Sequence, residues 1–294
     1  MKKTILAVGL ILSLSLGSFA QQKAELKVKK GDTFLMITDM SQEISQTVMG
    51  QKMAINMEIA MQLDLEVQDM SKETITFSQA YKSMKMNMNS PMQGMEISLD
   101  SSEPENEMNK PIKSLIGKKI LVIVNYKGEV QEVKGLDEIM GEMSGLAASG
   151  ADFGQFLDAE AMEKTYQSLF PVEYGKSYKQ GEKWEVDSSV DAEISILSKT
   201  SFTATEVSKK NLTFDLTTTM KMEGMQEANG MEMDMDMSGD LTGNGSVDLE
   251  TGLMSSYNLS GTIEGLMTMK ANEQLPMDME VPMSIKQSST TTVK

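Results

Sequence analysis

Strict two-residue alternation of apolar and polar side chains runs through much of this chain. It is clearest over residues 52–68. Met53, Ile55, Met57, Ile59, Met61, Leu63, Leu65 and Val67 share one phase, and Lys52, Asn56, Glu58, Gln62, Asp64, Glu66 and Gln68 share the other. Successive side chains of a strand point to opposite faces, so this set predicts one strand with one apolar face; no helical face collects it. At about 3.3 Å per residue the strand is roughly 50 Å long, against a usual strand of about 5–6 residues. Such length implies a large, twisted antiparallel sheet.

The alternation returns. Ile75, Phe77 and Tyr81 share a phase, which slips near Ser83 and resumes with Met84, Met86 and Met88; the slip predicts a bulge or turn. Met95, Ile97 and Leu99 predict a short strand. Leu212, Phe214, Leu216, Met220 and Met222 share a phase, as do Met231, Met233, Met235 and Met237, and finally Met277, Met279, Val281, Met283 and Ile285. Hairpin turns are expected at Lys127-Gly128 and over 248–253, where Gly252 can take a positive φ. The middle reads differently. A short helix is expected over 109–117, a continuous apolar strand over Ile120–Val124, and a loose helix over 136–149. A further helix should run from Phe156 to Phe170, carried by Phe156, Leu157, Ala161, Met162, Tyr166, Leu169 and Phe170, and Pro171 ends it.

The expected fold class is therefore mainly β: large twisted antiparallel sheets or a half-barrel, in two related halves, with a short helical insert in the middle. The halves are marked by Gly31-Asp32-Thr33-Phe34 and Gly181-Glu182-Lys183-Trp184, each a glycine, an acid and, three residues after the glycine, an aromatic. The expected organisation is an export signal over 1–20, an N-terminal β half over 21–103, a strand-hairpin and helical connection over 104–180, and a C-terminal β half over 181–294.

The export signal rests on three zones: Lys2 and Lys3, the apolar run Ile5 to Leu16, and Gly17-Ser18-Phe19-Ala20 with small residues where a signal peptidase needs them. Cleavage is expected after Ala20. The apolar run is too short to span a bilayer, and no cysteine follows it to carry a lipid. The expected location is periplasmic or secreted, without a lipid anchor or a transmembrane segment after the signal.

Composition then narrows the function. The net charge of −16 becomes −18 once Lys2 and Lys3 leave with the signal. That balance repels nucleic acid and favours solubility and cationic partners. There is no cysteine and no histidine, so neither disulfides nor the commonest general base and metal ligand are available. No Ser-x-x-Lys or Gly-x-Ser-x-Gly stands in strand–helix context. The chain reads as a non-enzyme with no cofactor. Trp184, the single tryptophan, reads as a core anchor.

Methionine, with 30 residues, is the most unusual component. Three readings compete. Methionine replaces leucine on a buried face, being unbranched and adaptable. Alternatively it lines a soft, open face for a lipid or other hydrophobic ligand, with Met53, Met57, Met61, Met231, Met233, Met235 and Met237 as candidates. Or its thioethers hold Cu(I) or Ag(I), through Met84, Met86, Met88, Met233 and Met235, although residues two apart on a strand are nearly 7 Å apart. A structural or partner-docking envelope protein is the remaining class. Asp240 to Gly245 resembles the start of a calcium loop, but Thr251 stands where the bidentate acid belongs, which predicts an ordinary Gly-rich turn. An outer-membrane barrel shares the alternation but needs aromatic girdles that this chain lacks.

Several features together resemble an uncharacterised family of exported bacterial β-proteins. They are the strand–turn–strand Ile120–Val133, the Phe170-Pro171 that closes a helical stretch, and the Gly-x-x-Trp of Gly181–Trp184. Those motifs are structural, so the resemblance implies a fold and no activity. The expected sheet is more loosely similar to the half-barrel of envelope lipoprotein carriers, a similarity of fold alone.

Overall fold

A computed structural model describes residues 21–294 except 49, 93, 104–105, 107–108, 137–138, 140–165, 168, 191–193, 229–230 and 273–276. The export signal therefore lies outside the described residues, as does most of each helix expected over 136–149 and from Phe156; Leu136 and Ile139, which are described, are helical and buried. The strands are β1 (Gln22–Lys23), β2 (Thr33–Val48), β3 (Gln51–Met70), β4 (Thr74–Ser90), β5 (Met95–Asp100), β6 (Lys119–Asn125), β7 (Val130–Lys134), β8 (Ser177–Tyr178), β9 (Lys183–Val190), β10 (Ile194–Val207), β11 (Asn211–Ala228), β12 (Met231–Asp248), β13 (Met254–Met269) and β14 (Met279–Val293), with the helix α1 (Lys110–Leu115) between β5 and β6.

Twelve of these strands form a single antiparallel sheet in the order β7-β6-β4-β3-β2-β14-β13-β12-β11-β10-β9, with β5 added beside β4; β1 and β8 pair separately. The protein is mainly β. The long alternating segment is β3, 20 residues without interruption. The phase slip in β4 is a bulge: Ser83 faces Gln62 and Tyr81 faces Leu63, leaving Lys82 as the extra residue. One sequence expectation is overturned. Asp240 to Gly245 makes neither a turn nor a cation loop, because it runs through the middle of β12, paired with β11 on one side and β13 on the other.

The sheet carries the same hydrogen-bond pattern twice. Gly31 donates to the Val67 carbonyl at 2.9 Å, and Val67 donates back to Asp32 at 2.9 Å; Gly181 and Ala204, with Glu182, repeat this at 2.8 Å each. Gly31 and Gly181 both hold positive φ, 90° and 81°, where a side chain would be strained. The next turns match as well. Ser71 Oγ accepts the Thr74 amide at 2.8 Å and Ser208 Oγ accepts the Asn211 amide at 3.0 Å. Phe77 and Phe214 follow, both fully buried. The run β2-β3-β4-β6-β7 thus corresponds to β9-β10-β11-β12-β13, and β14 joins the two runs by pairing with β13 and β2.

Hairpin connectivity gives the sheet two ends. At one, here the base, lie the turns 70–74, 125–130, 207–211 and 248–254; at the other, distal end the strand ends Val48 and Gln51, Ser90 and Met95, Ala228 and Met231, and Met269 and Met279 meet in pairs. The base is packed with branched and aromatic side chains, including Leu65, Val67, Phe77, Val122, Trp184, Phe202 and Phe214. Two segments close it. Residues 24–28 bury Ala24, Leu26 and Val28. The stretch from Tyr166 to Tyr178 bridges the two edge strands: Gln167 accepts the Val130 amide of β7 at 2.9 Å, and Trp184 Nε1 of β9 donates to the Pro171 carbonyl at 2.9 Å. Strands β6, β4, β3, β2, β14 and β13 all contribute to a void of about 20 Å³ beside Tyr166, Leu169 and Phe170. Six neighbouring strands can face one small void only if the sheet wraps around this segment. The void has room for about one water, so the base is core and not a ligand chamber.

Candidate functional site

Register assigns every inward-facing residue of the distal half, since directly opposed residues share a face. The apolar phase of β3 continues across β4 through Met57 opposite Met88, Ile59 opposite Met86 and Met61 opposite Met84. On the far limb, Met237 faces Met222, Met235 faces Met267, and Met233 faces Met269. The base half of the same face carries branched and aromatic side chains, whereas the distal half is largely methionine. The change suits the packing problem: a flexible, unbranched chain fills an irregular surface that no rigid ring would fit.

The candidate residues divide by burial. Met84, Met86 and Met237 are buried and belong to core clusters. Met237 centres a small distal cluster with Leu241, Ile263 and Ile285, against which Met220, Met222, Met235 and Met283 pack. Met53, Met57, Met61, Met88, Met233 and Met235 face inward but stay half-exposed. Met231 occupies the first position of β12, opposite Ala228. Of the five metal candidates, Met84, Met86 and Met88 succeed one another along β4, with the first two buried, and Met233 and Met235 lie two apart on β12.

Two features of the face escaped sequence reasoning. The first is a polar seam where β2 meets β14. Thr38 faces Thr291, Met40 faces Ser289, and Gln42 faces Gln287, with the two threonine hydroxyls 3.0 Å apart and hydrogen-bonded. These residues are half-buried, and they lie between the methionines of β3–β4 and those of β12–β13. The pairing of β2 with β14 joins the two ends of the chain, which no local pattern announces.

The second is a set of inward-facing glycines, Gly239, Gly243 and Gly245 on β12 and Gly261 and Gly265 on β13. A Cβ at Gly243 would fall on the Asn258 carbonyl oxygen, one at Gly239 on that of Thr262, and one at Gly265 on that of Asp236. Backbones this close need glycine, a residue that lets a sheet bend. The signal was present as the glycines of Gly239–Gly245, but it was read as a turn.

Outward-facing positions are mostly polar, with Leu197, Met225 and Leu266 as exposed exceptions. A groove of about 450 Å³ on that side is lined chiefly by Asp39, Ser41, Glu58, Lys85, Asn87, Ser288 and Thr290. Lys85 of this groove pairs with partly buried Asp100 at 3.5 Å, and the neighbouring Lys82–Asp64 pair at 3.4 Å is exposed and contributes little. Among the described residues no three acidic side chains converge to hold a metal ion.

A family model matches residues 72–254. The chain belongs to the family of unknown function DUF6263. The matched range contains the Ile120–Val133 hairpin, Phe170-Pro171 and Gly181–Trp184. No curated protein matches the sequence. Among solved structures, the chain is similar to one described as lipid-protein interactions in lipovitellin, at 7% identity and a TM-score of 0.48, over 90% of this chain and 25% of that one. The chain thus spans about a quarter of lipovitellin's length. An outer membrane channel from Pseudomonas putida F1 matches at 8% identity and a TM-score of 0.25, over 92% of this chain and 98% of that one. No described helix is long and apolar enough to cross a membrane.

Proposed function

We propose that this DUF6263 protein is a non-catalytic, exported binding protein, released by cleavage after Ala20, whose distal inner face receives a lipid or other apolar molecule bearing a small polar group. One observation carries the reading. Met53, Met57, Met61, Met88, Met233 and Met235 all face inward and are half-exposed, flanking a seam of hydroxyl and amide side chains. Apolar area left in water is unfavourable by about 25 cal/mol per Å², and inward apolar area on both sides of a polar seam supports a place for an amphipathic guest. Methionine suits guests of varied shape because it repacks without strain. The polar seam supplies donors and acceptors for a hydroxyl or ester group. The absence of histidine and cysteine from the sequence supports a role in binding rather than catalysis.

The test is displacement of a fluorescent fatty acid from the mature protein. Replacing Met57, Met61, Met233 and Met235 together by Gln keeps side-chain length but removes apolarity. The quadruple variant is expected to lose at least tenfold in affinity while keeping its far-UV spectrum; unchanged binding contradicts the reading.

A further inference from the structure

Sulfurs spaced along one strand are poorly placed to share an ion, because residues two apart are separated by about 6.7 Å. Register offers a better arrangement. Met233 of β12 lies directly opposite Met269 of β13, and Met269 lies directly opposite Met279 of β14. The three occupy one row across three adjacent strands, on the inner face, at the distal end. All three are half-exposed.

Neighbouring strands are about 4.8 Å apart. A trigonal ion with metal–sulfur bonds of about 2.3 Å, taking zinc–thiolate as a guide, holds its sulfurs about 4 Å from one another. Each adjacent pair of the row is therefore spaced nearly as the ion needs, while the outer pair, Met233 and Met279, lies two strands apart, about 9.6 Å, and is drawn together by long, flexible methionine chains on the inner face of a wrapped sheet. Thioethers are soft, neutral donors that favour Cu(I) and Ag(I) over harder cations. Glu232, Asp234, Asp278 and Glu280 adjoin the row in sequence against one lysine, Lys270, which pairs with Asp234 at 3.9 Å and Asp278 at 3.6 Å, so the local charge stays negative and attracts cations.

We propose that Met233, Met269 and Met279 form a three-coordinate thioether site for a soft monovalent cation, Cu(I) or Ag(I). The site does not depend on the apolar ligand, and exchange of methionine for leucine separates the two: it removes sulfur while leaving the face apolar, with a stability change usually below about 1.5 kcal/mol.

The experiment is titration of the mature protein with Ag(I), with Cu(I) X-ray absorption to count sulfurs. The expected result is one ion per chain with three sulfur neighbours. M233L/M269L/M279L should weaken binding at least hundredfold, and M269L alone, removing the central donor, at least tenfold. M84L/M86L/M88L should bind as the parent does. Parental affinity in the triple variant, fewer than three sulfurs in the shell, or loss of binding in M84L/M86L/M88L would overturn the site. The single M269L variant keeps the test decisive should the triple variant fold poorly.

Discussion

The indole of Trp184 lies flat against the ring of Phe202, with centroids 5.1 Å apart and planes 3° from parallel, while its Nε1 donates to the Pro171 carbonyl at 2.9 Å. One residue thus stacks within the β9–β10 pair and ties edge strand β9 to the segment that closes the base. Tyr178 and Phe214 meet the same indole edge-on, at 4.9 and 5.8 Å. Removing the ring should cost about 3–5 kcal/mol. Trp184→Phe, which keeps a stacking ring but leaves the Pro171 carbonyl without its donor, should cost about 1–3 kcal/mol. Urea unfolding followed by circular dichroism measures both; a Trp184→Phe variant as stable as the parent would show that the hydrogen bond contributes nothing.

The inward glycines make a sharper prediction about curvature. Gly243→Ala and Gly265→Ala should each destabilise by about 1–3 kcal/mol, because the new methyl meets a neighbouring carbonyl that can move only with its strand. Thr242→Ala, on the opposite face of the same strand, should change stability far less. Comparing unfolding midpoints of the three variants tests whether the bend of β12 and β13 requires glycine.

The repeated serine turns should behave alike. Ser71 Oγ also accepts the Glu73 amide at 3.1 Å, and Ser208 Oγ the Lys210 amide at 3.3 Å. Each serine satisfies amides much as a helix cap does, so Ser→Ala at either site should cost about 0.5–2 kcal/mol. The two sit in separate hairpins, so the double variant should show the sum. A loss at one site only would contradict the equivalence of the two runs.

Alkaline pH should destabilise the fold through its tyrosines. Burial raises the phenol pKa of Tyr81, Tyr166 and Tyr174, and that of Tyr257 to about 12, from the ordinary 10.0. Tyr174 also donates to the Gly252 carbonyl at 2.6 Å, a bond its ionised form could not make. A raised folded pKa means that the folded state holds its protons longer than the unfolded chain. The contribution is therefore complete below pH 10 and is lost as pH climbs toward the folded values. Denaturant midpoints should be flat with pH in the neutral range and fall steeply above pH 10. A phenolate titration in which these rings ionise near pH 10 in folded protein would contradict their burial.

Much of the fold was legible because strands write their period into sequence. The apolar phase of β3, the slip in β4 and the Lys127-Gly128 and 248–253 turns were all readable from local alternation and glycine. Less legible was whatever depends on long-range pairing. Val48 and Gln51 are close in sequence and meet at a hairpin, but Met36 and Val293 pair across almost the whole chain, and the polar seam exists only because they do. The Asp240–Gly245 error has the same origin. A glycine-rich stretch looks like a turn until the strand beside it is known to approach too closely for a side chain. The methionines were legible as a face but not as a cluster, since alternation gives the face and only register sets Met233 beside Met269 and Met279.

The most direct test of the binding role is native mass spectrometry of the full-length chain, expressed with its own leader in a bacterial host and purified from the exported fraction without detergent. The account predicts a chain beginning at Gln21 that carries a heterogeneous set of lipid-sized adducts, lost in the variant with Gln at positions 57, 61, 233 and 235. A bare mature mass, or adducts that persist in that variant, would contradict it.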